Sequence, residues 1–340
     1  MPQSRIPVSI ITGFLGSGKT TLLNHLVQQP GMADTAVIVN EFGEIGIDHL
    51  LIEQAFEDTV LLQNGCVCCS IRGDLVDTLE SLDAQVARGE IPDFARAIVE
   101  TTGLADPAPV LQTLMTDERL QPRYMLDGIV ATVDAVNGAA QLDEFSEPVK
   151  QAAIADHLFI TKGDLAEDGA IDDLAKRLRA LNPGAPISTI DHGRADPDTL
   201  FGNGPVADPS RILTTPAYRY NLHDHTHGSG IISFAITRDS PLPWAAVQAW
   251  LESVASLRGT DLLRMKGIIN VEGRVGPVVV HGVQHIFHPP VELPAWPSHD
   301  QTTRIVFITR NIDQKGLETA LDVFVDREQA ARGDNGTLSI

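Results

Sequence analysis

Eight residues near the start of the chain, Gly13-Phe14-Leu15-Gly16-Ser17-Gly18-Lys19-Thr20, constrain the fold more than anything else in it. They fit the phosphate-loop pattern G-x-x-x-x-G-K-[ST] in full. An apolar run, Val8 to Thr12, leads directly into them, and a helical pattern from Thr20 to Gln29 follows directly. A chance glycine-rich turn would lack that strand–loop–helix setting. Glycines let the backbone wrap around phosphates with successive N–H groups turned inward, and the helix N-terminus adds its positive dipole end. In such a loop the lysine, here Lys19, reaches the β- and γ-phosphates, and the Thr20 hydroxyl ligates Mg²⁺. Gly13, Gly16, Ser17, Gly18, Lys19, Thr20 and Thr21 are therefore the expected phosphate-binding set.

The first half of the chain continues in the same style. Strands are expected at Val8 to Thr12, Ala36 to Asn40, Thr59 to Leu62, Ala97 to Glu100, Gly128 to Asp134 and His157 to Thr161. Most are apolar throughout, as strands buried on both faces should be. Helices are expected at Thr20 to Gln29, Gly73 to Arg88 and Ile171 to Leu181, the last stopped by Asn182-Pro183-Gly184. The fold class that follows is α/β: a P-loop domain with a mostly parallel sheet flanked by helices. From His192 to Gly230 glycine, proline, aspartate and histidine crowd together, which reads as a linker with some mobility. Order returns with strands at Ile231 to Thr237, Leu262 to Val271, Val278 to His281, Gln284 to Phe287 and Arg304 to Thr309. Helices run from Pro243 to about Leu257 and from Asp313 to Phe324. The expected organisation is a P-loop domain at 1–191, a linker at 192–229, a smaller α+β domain at 230–326 and a frayed tail at 327–340.

Charge narrows the partners. With 45 acidic and 25 basic residues the formal net charge is -20, a surface that repels nucleic-acid phosphates and anionic lipid headgroups. No segment approaches the roughly 20 consecutive apolar residues of a membrane span. Met1 to Pro7 lacks the basic start and apolar core of a secretory signal. The expectation is a cytoplasmic protein that binds neither nucleic acid nor membrane.

Two further strand ends bear on the nucleotide. Thr161-Lys162-Gly163-Asp164 closes a buried strand, at the rim where open sheets bind ligands. GTPases usually show N-K-x-D there, the Asp accepting hydrogen bonds from guanine and the Lys stem packing along the base. Thr161 stands where Asn is usual, so the match is partial, and a plain surface turn competes with it. Val99-Glu100-Thr101-Thr102-Gly103 ends another strand. A carboxylate at that tip can hold the Mg²⁺ water shell, and the Gly103 amide can meet the γ-phosphate.

Taken with the phosphate loop, the segments VNEFGEIGIDHLLI, LLQNGCVCCSIRGDL, VETTGLADPAPV and TKGD resemble the CobW-like branch of the CobW/HypB/UreG GTPases. The resemblance covers the whole nucleotide domain, and the terminal module looks like that family's C-terminal domain. It implies GTP hydrolysis coupled to insertion, trafficking or homeostasis of a transition metal. It also implies that Val39 through Asp48 is the first switch, with Glu41 and Asp48 sensing Mg²⁺ or the γ-phosphate. The division of labour among Glu41, Glu44 and Asp48 stays open.

All three cysteines, Cys66, Cys68 and Cys69, fall within four residues, on an expected loop between strand and helix. An odd, crowded set in an intracellular chain argues against a disulfide framework. Free cysteines are commonly small buried hydrophobes, and Cys66 to Cys69 has C-x-x-C spacing. No thioredoxin pattern surrounds it, and three thiols on a glycine-bearing loop favour metal ligation, with Zn²⁺ first and Co²⁺ second. His223, His225 and His227 alternate along the linker, where a weak metal collector and a solvated polar tether are equally good readings. His281, His285 and His288 read as structural.

The expected function is a GTP-hydrolysing metallochaperone, a monomer or a nucleotide-dependent homodimer, in which Lys19, Thr20 and Glu100 serve hydrolysis. GTP·Mg²⁺ would organise the cysteine site, and hydrolysis would release the metal to a client enzyme. One rival is a metal-sensing regulator whose partner binding is tuned by nucleotide. A second, a P-loop small-molecule kinase, would need an Arg-rich lid and an acceptor motif that the chain lacks.

Overall fold

The computed structural model describes residues 5–39, 60–61, 67–70, 75–202, 220–221 and 230–335. The chain divides into two compact units, one of Met1–Arg177 with Ala185–Gly204 and one of Leu178–Gly184 with Pro205–Ile340.

In the first unit eight strands form one sheet: β1 (Ile6–Gly13), β2 (Thr35–Val39), β3 (Val60–Leu61), β4 (Val67–Ser70), β5 (Arg96–Glu100), β6 (Tyr124–Asp134), β7 (His157–Thr161) and β8 (Ile187–Thr189). Their order is β3-β4-β2-β5-β1-β6-β7-β8, and every pairing is parallel except β3 with β4. Among the described residues the helices α1 (Lys19–Leu26), α2 (Leu75–Arg88), α3 (Ala108–Thr116), α4 (Gly138–Glu144) and α5 (Ser146–Ile154) accompany it, and α6 (Ala170–Leu181) begins in this unit. The β1, β5 and β7 side chains are almost all buried, which accounts for their predominantly apolar sequences. One core cluster joins Ile11, Val37, Ile98, Val130 and Phe159 of the sheet to Leu22, Leu23 and Leu26 of α1.

Several features depart from the sequence reading. Helices α3, α4 and α5 are additional, and just before α3 Asp106 Oδ1 accepts the Ala108 amide at 3.1 Å. The linker expected from 192 begins inside the first unit: Ala195 and Leu200 join the cluster around α1, and Arg96 lies 4.4 Å over the Phe201 ring. The Gly202 amide donates to Asp127 Oδ2 at 2.9 Å. In addition, two of the three cysteines are not on a loop. Cys68 and Cys69 lie in β4, in parallel register with Val37 and Ile38 of β2. Cys68 also pairs with Val60 of β3, but the parallel partner of both cysteines is β2, a neighbour that a local pattern cannot reveal.

The second unit holds an antiparallel sheet. Its strands are β9 (Tyr220–Asn221), β10 (Ile231–Arg238), β11 (Leu262–Ile269), β12 (Val278–Val283), β13 (Ile286–Phe287), β14 (Val291–Glu292) and β15 (Thr303–Arg310). They run in the order β13-β12-β11-β15-β10-β9, with β14 beside β12. Helices α7 (Trp244–Arg258) and α8 (Gln314–Asn335) pack next to each other, and Trp250, Leu251 and Leu321 join Phe234, Met265 and Phe307 in one core. The tail expected to fray from 327 is helical to Asn335. Arg332 pairs one turn back with Glu328 at 3.0 Å and also with Glu272 at 2.6 Å, contacts that prolong a helix beyond its apolar pattern.

Candidate functional site

The phosphate loop leaves the C-terminal end of β1, the strand flanked by β5 and β6, and opens α1. Gly13 sits at φ 144°, and a Cβ there would lie 2.4 Å from Thr132 Oγ1 and 2.6 Å from Ser17 Oγ. Only glycine fits that turn. Ser17 and Thr132 share a buried hydroxyl–hydroxyl bond of 2.7 Å, which ties the loop to β6. Lys19 is 8% exposed, and its Nζ donates to the carbonyls of Gly13 at 2.9 Å and Phe14 at 3.1 Å. Burial pushes its pKa below the ordinary lysine value, and the Glu100 carboxylate pulls the other way. The ammonium is thus stored inside the loop that would surround a phosphate.

Glu100, at the tip of β5, is buried to 5% exposure, and its Oε1 accepts the Thr20 hydroxyl at 3.2 Å. A threonine hydroxyl and a carboxylate, both hard oxygen donors, are the chemistry a Mg²⁺ ion takes. The backbone after Glu100 is held to the strand next door, where the Thr101 amide donates to Ile11 O and the Thr101 hydroxyl to Thr12 Oγ1, each at 2.9 Å. Gly103 then backs onto the phosphate loop so closely that a Cβ would stand 2.7 Å from the Leu15 nitrogen. No larger residue fits.

At the end of β7, Thr161 is buried, and its hydroxyl donates to the Ser17 carbonyl at 2.7 Å. The residue that departs from N-K-x-D therefore ties the loop after β7 to the phosphate loop. Lys162 adopts a left-handed conformation at φ 57°, and its Nζ meets Asp134 Oδ2 at 2.8 Å. Asp134, 1% exposed at the tip of β6, also accepts the Val136 and Asn137 amides and the Asn137 side chain. Burial raises its pKa, but the hydrogen bonds from Lys162, Asn137 and the two amides outweigh burial and hold the carboxyl below the ordinary aspartate value. Asp164 is more open, with His192 Nε2 3.9 Å from its Oδ2.

The structure thus brings Gly13, Gly16, Ser17, Gly18, Lys19, Thr20, Thr21, Glu100, Gly103, Thr161, Lys162 and Asp164 to the C-terminal rim of one parallel sheet or the loops leaving it. Glu41, Glu44, Asp48, Cys66, His223, His225 and His227 lie outside the described residues. Among the described residues no group of three or more His, Cys, Asp and Glu forms a metal-binding cluster. Asp134 is the residue missed by the sequence reading. Its signal was present, because it is an acid closing an apolar strand, as Glu100 is.

Two family descriptions match the chain: "CobW/HypB/UreG, nucleotide-binding domain" over residues 7–189 and "Cobalamin synthesis protein cobW C-terminal domain" over residues 231–325. The Escherichia coli protein named zinc chaperone YjiA is 34% identical over 316 residues, covering 93% of this chain and 97% of that one. The Pseudomonas aeruginosa zinc chaperone CobW is 28% identical, covering 94% and 91%. The crystal structure of the Zn(II)-bound YjiA GTPase from E. coli superposes with a TM-score of 0.78 at 31% identity, covering 95% of this chain and 99% of that one.

Proposed function

The chain belongs to the CobW/HypB/UreG family and carries its CobW C-terminal domain, and on that premise we propose a GTP-hydrolysing metallochaperone. The observation that carries the catalytic half is the convergence of Lys19, Thr20 and Glu100 on the rim where the Thr161 loop meets the phosphate loop. When GTP enters, Lys19 releases the Gly13 and Phe14 carbonyls and turns its ammonium to the β- and γ-phosphate oxygens. Thr20 and Glu100, joined by Glu41, would hold Mg²⁺, which would supply positive charge to the phosphate oxygens. The Lys162 stem lies along the base while Asp134 holds its ammonium. Asp164 accepts from the guanine N1 and N2 groups.

The cargo is a transition metal, Zn²⁺ first and Co²⁺ second, held by Cys66, Cys68 and Cys69 with a weaker contribution from His223, His225 and His227. Two of the relatives are named zinc chaperones, which supports zinc. A route for coupling is supported by strand register. Cys68 and Cys69 pair with Val37 and Ile38 of β2, and β2 runs on in the chain toward Glu41 to Asp48. Ordering that segment around a γ-phosphate bears on the strand beside the thiols. The metal passes to a client metalloenzyme in the cytoplasm, and the carrier is a monomer or a nucleotide-dependent homodimer. Among the described residues no helix is long and apolar enough to cross a membrane.

The test is a Zn²⁺ and Co²⁺ competition titration with GDP and with a non-hydrolysable GTP analogue, repeated after changing all three cysteines to Ser. Coupling of about 1–3 kcal/mol is expected, and metal must tighten GTP by the same factor. Equal metal affinity in both nucleotide states would refute the switch. Loss of metal with hydrolysis retained in the cysteine variant supports thiols that serve cargo.

A further inference from the structure

Helix α5 contains a buried glutamine that the site described above does not use. Gln151 is 1% exposed, and its Nε2 donates to two backbone carbonyls, Gly103 O at 3.1 Å and Ala105 O at 3.0 Å. Two carbonyl partners require the NH₂ end of the carboxamide, so its orientation is fixed by chemistry. Both carbonyls belong to the loop after Glu100, the same loop whose Gly103 is pressed against Leu15 of the phosphate loop. The loop is therefore gripped from two sides.

Neighbouring residues reinforce that grip. Lys150 Nζ reaches Asp106 Oδ2 at 3.2 Å, and Phe145, just before α5, packs on Phe14 of the phosphate loop with ring centroids 4.9 Å apart. One short helix and its leading residue thus touch both the phosphate loop and the loop after Glu100. Gln151 also lines a small cavity with Phe14, Thr132, Gly138 and Gln141, and its Oε1 receives no hydrogen bond among the described residues. A leucine-like side chain would fill the space at less desolvation cost. The amide is explained by what its two N–H groups hold.

We infer that Gln151 is a positioning residue for γ-phosphoryl transfer, keeping the Gly103–Ala105 backbone in the one conformation that meets the γ-phosphate. This rests on the reading of the chain as a GTPase. Electrostatic stabilisation by backbone groups depends on their being fixed before charge develops, so loosening this loop acts on turnover and leaves the diphosphate and base contacts alone.

The experiment uses the full chain with Gln151→Met, which keeps the volume and removes both donors. The expected result has three parts. Hydrogen exchange across residues 102–107 of the nucleotide-free protein rises at least about 10-fold. The kcat for GTP falls about 10- to 100-fold, and KM and GDP affinity stay within about 2-fold. Unchanged exchange, or unchanged kcat, overturns the inference. So does a fall in GDP affinity as large as the fall in kcat, the mark of a merely structural role. Should Gln151→Met not fold, Gln151→Asn, which keeps the amide one methylene short, gives the same three readouts. A wild-type chain that does not hydrolyse GTP overturns the GTPase reading instead, and the exchange arm still decides whether Gln151 holds residues 103–105.

Discussion

The two units place their buried polar groups differently. In the first, Ser17, Lys19, Glu100, Thr101, Thr132, Asp134 and Thr161 gather on the phosphate loop, at its junction with α1, or at or near the C-terminal ends of β5, β6 and β7, while Ser9, Thr35, Gln151, Asp156 and His157 are buried elsewhere in the unit. In the second, the buried polar residues Ser233, Arg264, His281, Thr303 and Thr309 are scattered over four strands, and the centre is an apolar stack of Trp250, Phe234 and Phe307. Strand direction explains the contrast. Parallel strands bring every C-terminal loop to one rim, so polar groups for a ligand collect there. Antiparallel strands turn back at both ends, and no rim gathers such groups. The candidate site described above lies on the first kind of sheet.

Breaking the first rim should produce the largest effect. Lys19→Ala removes a fixed cation from the transferring phosphoryl group, and GTP turnover should fall about 10³- to 10⁵-fold, as for other cations in that role. Steady-state hydrolysis within tenfold of wild type would end the claim that this rim is catalytic. Trp250→Ala strikes the other unit. A fully buried Trp reduced to Ala should cost about 3–5 kcal/mol in chemical denaturation, with kcat at 25 °C unchanged. An equal loss of kcat in folded protein would show that the division of labour is wrong.

Asp164→Asn tests the base side of the same rim. Charge-assisted hydrogen bonds are worth about 1.5–3 kcal/mol, so competition binding should show GTP weakened roughly 10- to 100-fold and XTP gaining. Retained GTP preference would remove Asp164 from base recognition.

The smallest effect concerns Asp127, which accepts the Ser9 hydroxyl at 3.0 Å and the Gly202 amide at 2.9 Å, and so ties the 192–202 segment to the first unit. Burial pushes its pKa up, helped by the Asp156 carboxylate and opposed by the Gly202 amide, the Ser9 hydroxyl and Arg96. The folded state therefore binds this proton more tightly than the unfolded chain, and stability falls as pH rises through the raised folded value. Asp127→Asn can still accept both bonds and carries no charge. It should be more stable than wild type at neutral pH by a few tenths of a kcal/mol, the advantage fading as pH falls toward 3.8, the ordinary aspartate value. An advantage that grows on acidification would mean the carboxylate is stabilised in place.

Much of the first unit was legible because its signals are local. Gly13 through Thr20 between an apolar strand and a helix specifies a phosphate loop, and the apolar runs ending in Glu100 and Thr161 mark further strand tips. Strand positions in the second unit were equally legible from apolar runs and turn punctuation. What local patterns could not supply was partnership. Cys68 and Cys69 look like loop residues until β2 is beside them, and residues 192–202 look like tether until α1 buries Ala195 and Leu200. Thr161 looks like a defect in a guanine motif, yet its hydroxyl bonds Ser17, 144 positions away in the chain. Gln151 is an ordinary helical glutamine until the fold brings the carbonyls of Gly103 and Ala105, 48 and 46 positions away, to its amide. Which backbone could wrap a phosphate was readable from the order of residues alone, because glycine torsions and strand periodicity are properties of neighbouring residues. Only the tertiary structure decided which side chains hold that loop in place, because each such hydrogen bond joins groups that meet only once the sheet has formed.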